Sequence, residues 1–382
     1  MTTYLVLATK ACILFGLHLL RALPAEGWRH VWKRLPLFVL LWLGFVLLSI
    51  LHLLGFLSDE LLFADYRNID VERPVFIIGI PRSGTTFLHR TLTRDQGFTS
   101  LSTWEVIFAP SVSERYLYSF LGKILFPLGW LIKQIRLRPF RHIDKIHPLH
   151  LQEPEEDFIL LLWIRACFLQ ALICPNNASY WRLASFDDAI SRPRAEKIMA
   201  WYKCCLQKHL FYHGAGKRIL SKNPSFTSLI QNLSETFPGA FFIACYREPD
   251  QAVPSQLSSL RPAMRVLGNG QVNKKTQEQL LGVLWHYYEI LQQQSANPRL
   301  INVPMSAMQQ HLKPTLLTLY QFLEQALPEK LLNTYTQLDQ QAKAYRSRHR
   351  YNAGDFSLND REILDRFSSV WPLPQHNIPE QA

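Results

Sequence analysis

The sequence predicts an α/β fold: a parallel sheet flanked by helices, preceded by one or two apolar helices. Three observations carry this. From residue 75 onward, short apolar runs alternate with helical stretches, the pattern of a parallel sheet with covered faces. The run Val75–Ile80 breaks into a glycine-containing turn and resumes at helical spacing through Phe87, Leu88 and Leu92. Ahead of these, Leu35–Leu57 offers twenty-three residues without a formal charge when His52 is neutral.

That apolar run covers a bilayer core of about 30 Å at 1.5 Å per residue, with some tilt. Trp28, Trp32, Lys33 and Arg34 before it form an aromatic and basic anchor. Tyr4–Leu23 is a weaker span, interrupted by Lys10 and His18, with no cleavage site after it. Residues 1–73 therefore read as a membrane-anchoring region with spans about 4–23 and 35–57, and residues 74–382 as one large α/β domain. Arg21, Arg29, Lys33 and Arg34 between the spans outnumber Glu26. After them, Asp59, Glu60, Asp65, Asp70 and Glu72 outnumber Arg67 and Arg73. The positive-inside bias puts residues 24–34 in the cytoplasm and the domain on the other side. A shallow hairpin with both segments on one side is the alternative.

The next expected elements are a strand at 75–80, a helix at 86–94 and a strand near 98–103. Residues 105–150 read as an irregular aromatic insertion. Helices at 154–173 and 192–213, a strand at 218–221, a helix at 226–236 and a strand at 240–246 follow. Helices from 250 and at 276–293, a strand at 299–303, and helices at 309–326 and 360–368 complete the series.

Gly79 and Gly84 have the P-loop spacing G-x-x-x-x-G-K-[ST], and Thr86 stands in its last position. The lysine position is Thr85, and the cation is Arg82 inside the turn. A strand, a tight turn and a helix start together hold a phosphate through backbone amides and the helix dipole. Without that lysine, a P-loop kinase or other nucleoside triphosphatase is the weaker reading. Two other strand ends carry cations. Arg247 follows Ala240–Tyr246, with Ser255 eight residues on, and Lys222-Asn223-Pro224 follows Ile219–Ser221.

The loop Pro81-Arg82-Ser83-Gly84-Thr85-Thr86 resembles the 5′-phosphosulfate loop of the sulfotransferase superfamily. It is nearest the branch of the protein-tyrosine sulfotransferases and many bacterial relatives, and the resemblance spans roughly residues 74–360. It implies transfer of a sulfuryl group from 3′-phosphoadenosine 5′-phosphosulfate (PAPS) to a hydroxyl or amine, with no metal. Arg82, Ser83, Gly84, Thr85 and Thr86 would then hold the 5′-phosphosulfate, and Arg247 with Ser255 the 3′-phosphate. Lys222 would reach the bridging oxygen. Glu105 sits where that branch keeps its catalytic glutamate, although two residues further from Arg82. A basic, aromatic stretch near the C-terminus adds Arg348, with Arg350, to the 3′-phosphate side. Ser357 stands after Phe356 where relatives usually have glycine.

Sulfuryl transfer to a hydroxyl needs a proton acceptor within hydrogen-bond reach. Besides Glu105, the segment His147, His150, Glu153, Glu155, Glu156 and Asp157 offers candidates, led by His150 and Glu155. Acidic residues after Pro154 also suit a helix first turn. The net charge of +11 fits an anionic nucleotide and a phospholipid surface, and its scattered distribution argues against nucleic acid. The six cysteines have no metal spacing, and no metal-binding histidine pattern is expected. Two sequons, at Asn177 and Asn232, permit a Golgi enzyme, but the resemblance favours a bacterial inner-membrane one. The acceptor is expected to be a small molecule, lipid or glycan. A catalytically silent nucleotide-binding membrane protein is the alternative from another class.

Overall fold

The computed structural model describes residues 2–22, 31–125, 151–266, 272–344 and 353–374. At its centre is a five-stranded parallel sheet, β1 Val75–Gly79, β2 Phe98–Thr99, β3 Arg218–Lys222, β4 Phe241–Tyr246 and β5 Leu300–Pro304, in spatial order β2-β3-β1-β4-β5. In register, Ile77 faces Lys222 on one side, and Gly79 faces Cys245 on the other. All five residues of β1 are buried, because a central parallel strand is covered on both faces.

Alternation along the strands sorts two apolar layers. Val75, Ile77, Ile243 and Val303 face helices α3 Thr85–Leu92, α9 Leu312–Phe322 and α10 Glu329–Ala344. Phe76, Ile78, Phe242 and Ala244 face α6 Arg192–His213, α7 Pro249–Val266 and α8 Lys274–Gln293. Phe76 stacks on Phe242 at 5.7 Å between ring centroids. A C-terminal helix, α11 Asp360–Phe367, starts with a capping box between Asn359 and Glu362 and docks by Ile363 and Phe367.

Outside the α6 layer lie α1 Thr2–Ala22 and α2 Val31–Leu62. Phe15 meets Phe45 at 4.8 Å, Phe45 stacks on Trp163, and Phe56 lies against Trp201. Among the described residues one helix is long and apolar enough to cross a membrane, Arg34–Leu62.

Several elements differ from the sequence expectation. The strand expected near 98–103 is two residues, Phe98–Thr99, because Ser102 begins a helix by a capping box with Glu105. The first part of the expected insertion forms α4 Thr103–Phe108 and α5 Val112–Leu125; residues 126–150 lie outside the described set. The helix expected at 154–173 is replaced by a 3-10 helix at Asp157–Ile164, ended by Arg165 in the left-handed region at φ 58°. Its three-residue repeat buries Phe158, Leu161 and Ile164 on one edge and Leu160 and Trp163 on another. The α10 helix was not expected at all; its buried side is only Leu331 and Tyr335.

Candidate active site

Gly79 ends β1 with φ 114°, and a β-carbon there would lie 2.0 Å from the Cys245 carbonyl oxygen. Only glycine lets β1 approach β4 so closely at its tip. The Ile80 amide donates to that same carbonyl at 2.8 Å, and Thr227 Oγ1 accepts from the Gly79 amide at 2.8 Å. These bonds fix the base of the turn. Arg82 takes φ 68° and Gly84 φ 81°, so the chain doubles back before α3 begins. Leu88 is the first residue whose amide bonds within the helix, to Gly84 at 3.0 Å. The amides of Thr85, Thr86 and Phe87 precede it and are available to an anion. Ser83 is fully buried, and its hydroxyl has no partner among the described residues. A buried orphan hydroxyl in a loop of amides suits an oxyanion.

The neighbouring tip, β4, leads through Arg247 into α7. Arg247 is half-buried, with Nε and one terminal nitrogen donating to Gln251 Oε1 at 3.0 and 2.8 Å. Its carbonyl accepts from the Tyr288 hydroxyl. Ser255, two turns into α7 and 1% exposed, accepts from Arg82 Nε at 3.3 Å. The turn after β1 and the start of α7 are thus in direct contact.

On the other side of β1, Lys222 ends β3. Its Nζ donates to Glu156 Oε1 at 2.7 Å, with the lysine side chain 4% and the glutamate 30% exposed. Asp157 holds Glu156 there. Its carboxylate accepts from the Tyr202 hydroxyl at 2.6 Å, from Ser221 Oγ at 2.9 Å and from the Asn223 amide nitrogen. Burial pushes the Asp157 carboxyl up to about 6, against the pull of those three donors. His89 lies beneath this strand end, bonded to Ser100 and the Leu220 carbonyl. Burial, with Lys222 nearby, lowers it to about 3, so the ring is neutral.

Residues 74–329 match the model of the sulfotransferase family. The chain belongs to that family. It is 25% identical over 206 residues to the omega-hydroxy-beta-dihydromenaquinone-9 sulfotransferase Stf3 of Mycobacterium tuberculosis and of Mycobacterium bovis. That match covers 53% of this chain, and the chain spans about half (49%) of the length of those curated relatives. Among solved structures, sulfotransferase STF1 from Mycobacterium tuberculosis superposes with a TM-score of 0.63 at 19% identity, covering 95% of this chain and 97% of that one. Sulfotransferase STF9 from Mycobacterium avium gives 0.64 at 16% identity, covering 84% and 82%. At those identities the likeness is one of fold.

Within this member of the family the residues singled out in sequence fall into two groups. Arg82, Ser83, Gly84, Thr85, Thr86, Arg247 and Ser255 gather at the β1 and β4 tips, and Lys222 stands at the adjoining β3 tip. Glu105 sits apart from them on α4, 2% exposed. Its Oε2 accepts from the Ser102 amide at 2.9 Å and the Ser102 hydroxyl at 2.5 Å. Its Oε1 meets His213 Nε2 at 2.6 Å and Arg115 Nε at 3.4 Å. Burial alone would raise this carboxyl, but the Arg115 guanidinium, with His209 and His213, holds it well below the usual carboxylate range. Glu105 borders a cavity of about 310 Å³ beside β2, shared with Ser102, Trp104, Gln152 and His213.

His209 and His213 form an H-x-x-x-H pair on α6, contrary to the expectation of no metal-binding histidine pattern. With Glu105, their ligand atoms lie within 4.8 Å of one another. The buried Arg115 guanidinium, on the same carboxylate oxygen, opposes a dication at that point. Arg348, Arg350, His147 and His150 lie outside the described residues. Phe356 is buried with the Arg261 guanidinium 4.0 Å over its ring, and Ser357 adopts φ 55°, the conformation in which glycine is at home.

Proposed function

We propose that this sulfotransferase uses PAPS to sulfate a hydroxyl on a lipophilic acceptor. The single observation that carries the donor reading is the Arg82–Ser255 contact across the β1 and β4 tips. It joins an amide-lined loop to a second cation–hydroxyl pair, Arg247 and Ser255, as a nucleotide with anions at both ribose ends requires. Arg82 and the amides of residues 83–86 hold the 5′-phosphosulfate, and Arg247 with Ser255 the 3′-phosphate. The acceptor oxygen attacks sulfur as the bond from sulfur to the bridging oxygen breaks, releasing 3′-phosphoadenosine 5′-phosphate. Lys222 neutralises the charge that develops on the bridging oxygen.

The proton of the acceptor goes to Glu156, which already stands against Lys222 and is open to solvent. Glu105, the first candidate in sequence, has both oxygens engaged in the cap of α4 and in the histidine–arginine cluster. A carboxylate held so far below its ordinary range is a weak base. Its part is to fix α4 beside the acceptor cavity. Glu155 bonds back to the Glu156 amide at 3.0 Å and so shapes the same segment.

The lipophilic acceptor is supported by the compound for which the Stf3 relatives are named, an omega-hydroxy-beta-dihydromenaquinone, and by the apolar α1 and α2. Membrane association and a bacterial origin belong to this same reading. The boundary at residues 73–74 separates the anchoring region from the catalytic one. The test is incubation of the purified protein with sulfur-labelled PAPS and a lipid extract containing hydroxylated quinones. Label moving into the lipid phase supports the reading. PAPS binding without transfer supports the catalytically silent alternative, and magnesium-dependent turnover of labelled ATP a kinase.

A further inference from the structure

Among the described residues, the buried side chains of α2 lie on one stripe. Phe38, Phe45, His52 and Asp59, at a seven-residue repeat, are 2%, 6%, 0% and 0% exposed, with Arg34, Ser49 and Phe56 beside them. From Phe38 to Asp59 this stripe runs about 32 Å at 1.5 Å per residue, the thickness of a bilayer core. It is fastened to the catalytic domain at polar points. His52 Nδ1 pairs with Glu114 Oε1 at 2.6 Å, and Asp59 with Lys208 Nζ at 2.7 Å, all four side chains being 5% exposed or less. The Asp59 carboxylate also accepts from the amides of Val112 and Ser113, at the start of α5. Gly55 allows close approach, since a β-carbon there would lie 2.3 Å from Ser111 Oγ.

The opposite face of α2 is entirely apolar. Leu40, Leu43, Leu47, Ile50 and Leu54 are 50–67% exposed, and the two polar residues between Val39 and Leu54, Ser49 and His52, both point inward. The face continues on α1, where Ala11, Phe15 and Leu19 are buried while Ile13, Leu17 and Leu20 are exposed. It continues again on α5, through Leu117 and Phe120. Exposed Lys10 and Arg21 on α1 and Lys123 on α5 stand around its margin, with Trp32 78% exposed at the start of α2.

We propose that α1, α2 and α5 form one in-plane docking face that seats the enzyme on the surface of an anionic bilayer, with α2 lying along the membrane rather than crossing it. A crossing helix would carry its bonded neighbours, Glu114 and Lys208 among them, through hydrocarbon, because the domain runs beside it for the whole span. A lipid surface also fits the composition of the face better than a second copy of the chain does. Protein interfaces carry about one hydrogen bond per 100–200 Å², and this stretch of α2 exposes no polar side chain to make one. The basic and tryptophan margin matches headgroups at the level where an interfacial helix lies. The inference does not depend on the sulfotransferase chemistry.

The experiment uses the full chain on vesicles of phosphatidylglycerol and phosphatidylcholine. Nitroxide labels are attached to cysteines placed at Leu40, Leu47 and Leu54, in a Cys12→Ser, Cys204→Ser background, and their depth is read by paramagnetic quenching. An in-plane helix gives the three labels similar shallow depths. A spanning helix spreads Leu40 and Leu54 by about 21 Å at 1.5 Å per residue, and that result overturns the proposal. Labels shielded from lipid in a dimer detected by light scattering overturn it equally. As a second readout, Leu43→Glu, Leu47→Glu and Ile50→Glu together should lower vesicle binding at least about tenfold, three charges opposing an apolar insertion. Circular dichroism and a cooperative urea transition in solution check that this variant is folded, and unchanged vesicle binding by a folded variant refutes the proposal.

Discussion

Removing the proposed 3′-phosphate contacts one at a time is the sharpest test of the proposed donor site. Arg247 is half-buried, and its guanidinium fork now rests on Gln251, so a phosphate would exchange one acceptor for a charged one. Ser255 is 1% exposed and offers a single hydroxyl already shared with Arg82. A hydrogen bond to a charged group contributes about 1.5–3 kcal/mol, which corresponds to about 10- to 150-fold in Kd. Arg247→Ala and Ser255→Ala should each weaken 3′-phosphoadenosine 5′-phosphate by an amount in that range, the arginine at the upper end because its fork is bidentate. Adenosine 5′-phosphate, which lacks the 3′-group, should bind both variants within about twofold of the parent, a few tenths of a kcal/mol. Isothermal titration of the two nucleotides on three proteins gives the comparison. Equal weakening of both nucleotides would mean that the substitutions disturb the loop at 81–86 instead. No weakening of either would remove Arg247 and Ser255 from the donor site altogether.

Other outcomes follow from the same geometry. Glu156→Gln should lower kcat by about 10²- to 10⁴-fold with nucleotide affinity retained, as loss of a general base does, whereas Glu105→Gln should mainly lower the unfolding midpoint. Single-turnover kinetics and denaturant melts separate the two. Lys208→Met leaves the Asp59 carboxylate buried without its cation and should destabilise by about 3–5 kcal/mol, and adding Asp59→Asn should recover part of that loss in urea unfolding. Asp157 ionises at about 6 in the fold against 3.8 when exposed, so the unfolded chain binds fewer protons between those values. Stability from this group is full below about pH 4 and falls as pH rises to about 6, by about 3 kcal/mol at 1.36 kcal/mol per pH unit. Urea midpoints measured from pH 4 to 7 should lose that slope in Asp157→Asn.

What could be read from the sequence was local. The buried strands β1, β3, β4 and β5, the turn at 81–86, and Arg247 with Ser255 depend on neighbours in the chain, and short motifs declare them. The partners of Glu156, Glu105 and Asp59 do not. Lys222 is 66 residues from Glu156, and Lys208 is 149 from Asp59, so their pairing follows from how elements pack. Glu105 shows the limit most clearly. Its position after β2 suggested a base, but Ser102 three residues back engages one carboxylate oxygen in a helix cap, and Arg115 on α5 with two histidines on α6, a hundred residues away, engages the other. The His209–His213 spacing was in plain sight and would have flagged that cluster. The helix expected at 154–173 failed for another reason: nearly continuous hydrophobicity cannot separate helical repeats of three and four residues.

Asp59 is a joint shared by three elements. One carboxylate near the end of the apolar helix neutralises a lysine on α6 and caps the start of α5. A fragment beginning at residue 63, trimmed to gain solubility, would strand Lys208 without a counter-charge and fray the helix that carries Glu114 and Arg115. Arg115 in turn braces Glu105, so the damage would travel from the N-terminus to the wall of the cavity beside β2. The greasy segment at the front of the chain is thus a structural wall of the α/β domain, and detergent or lipid, rather than truncation, is the route to a folded preparation.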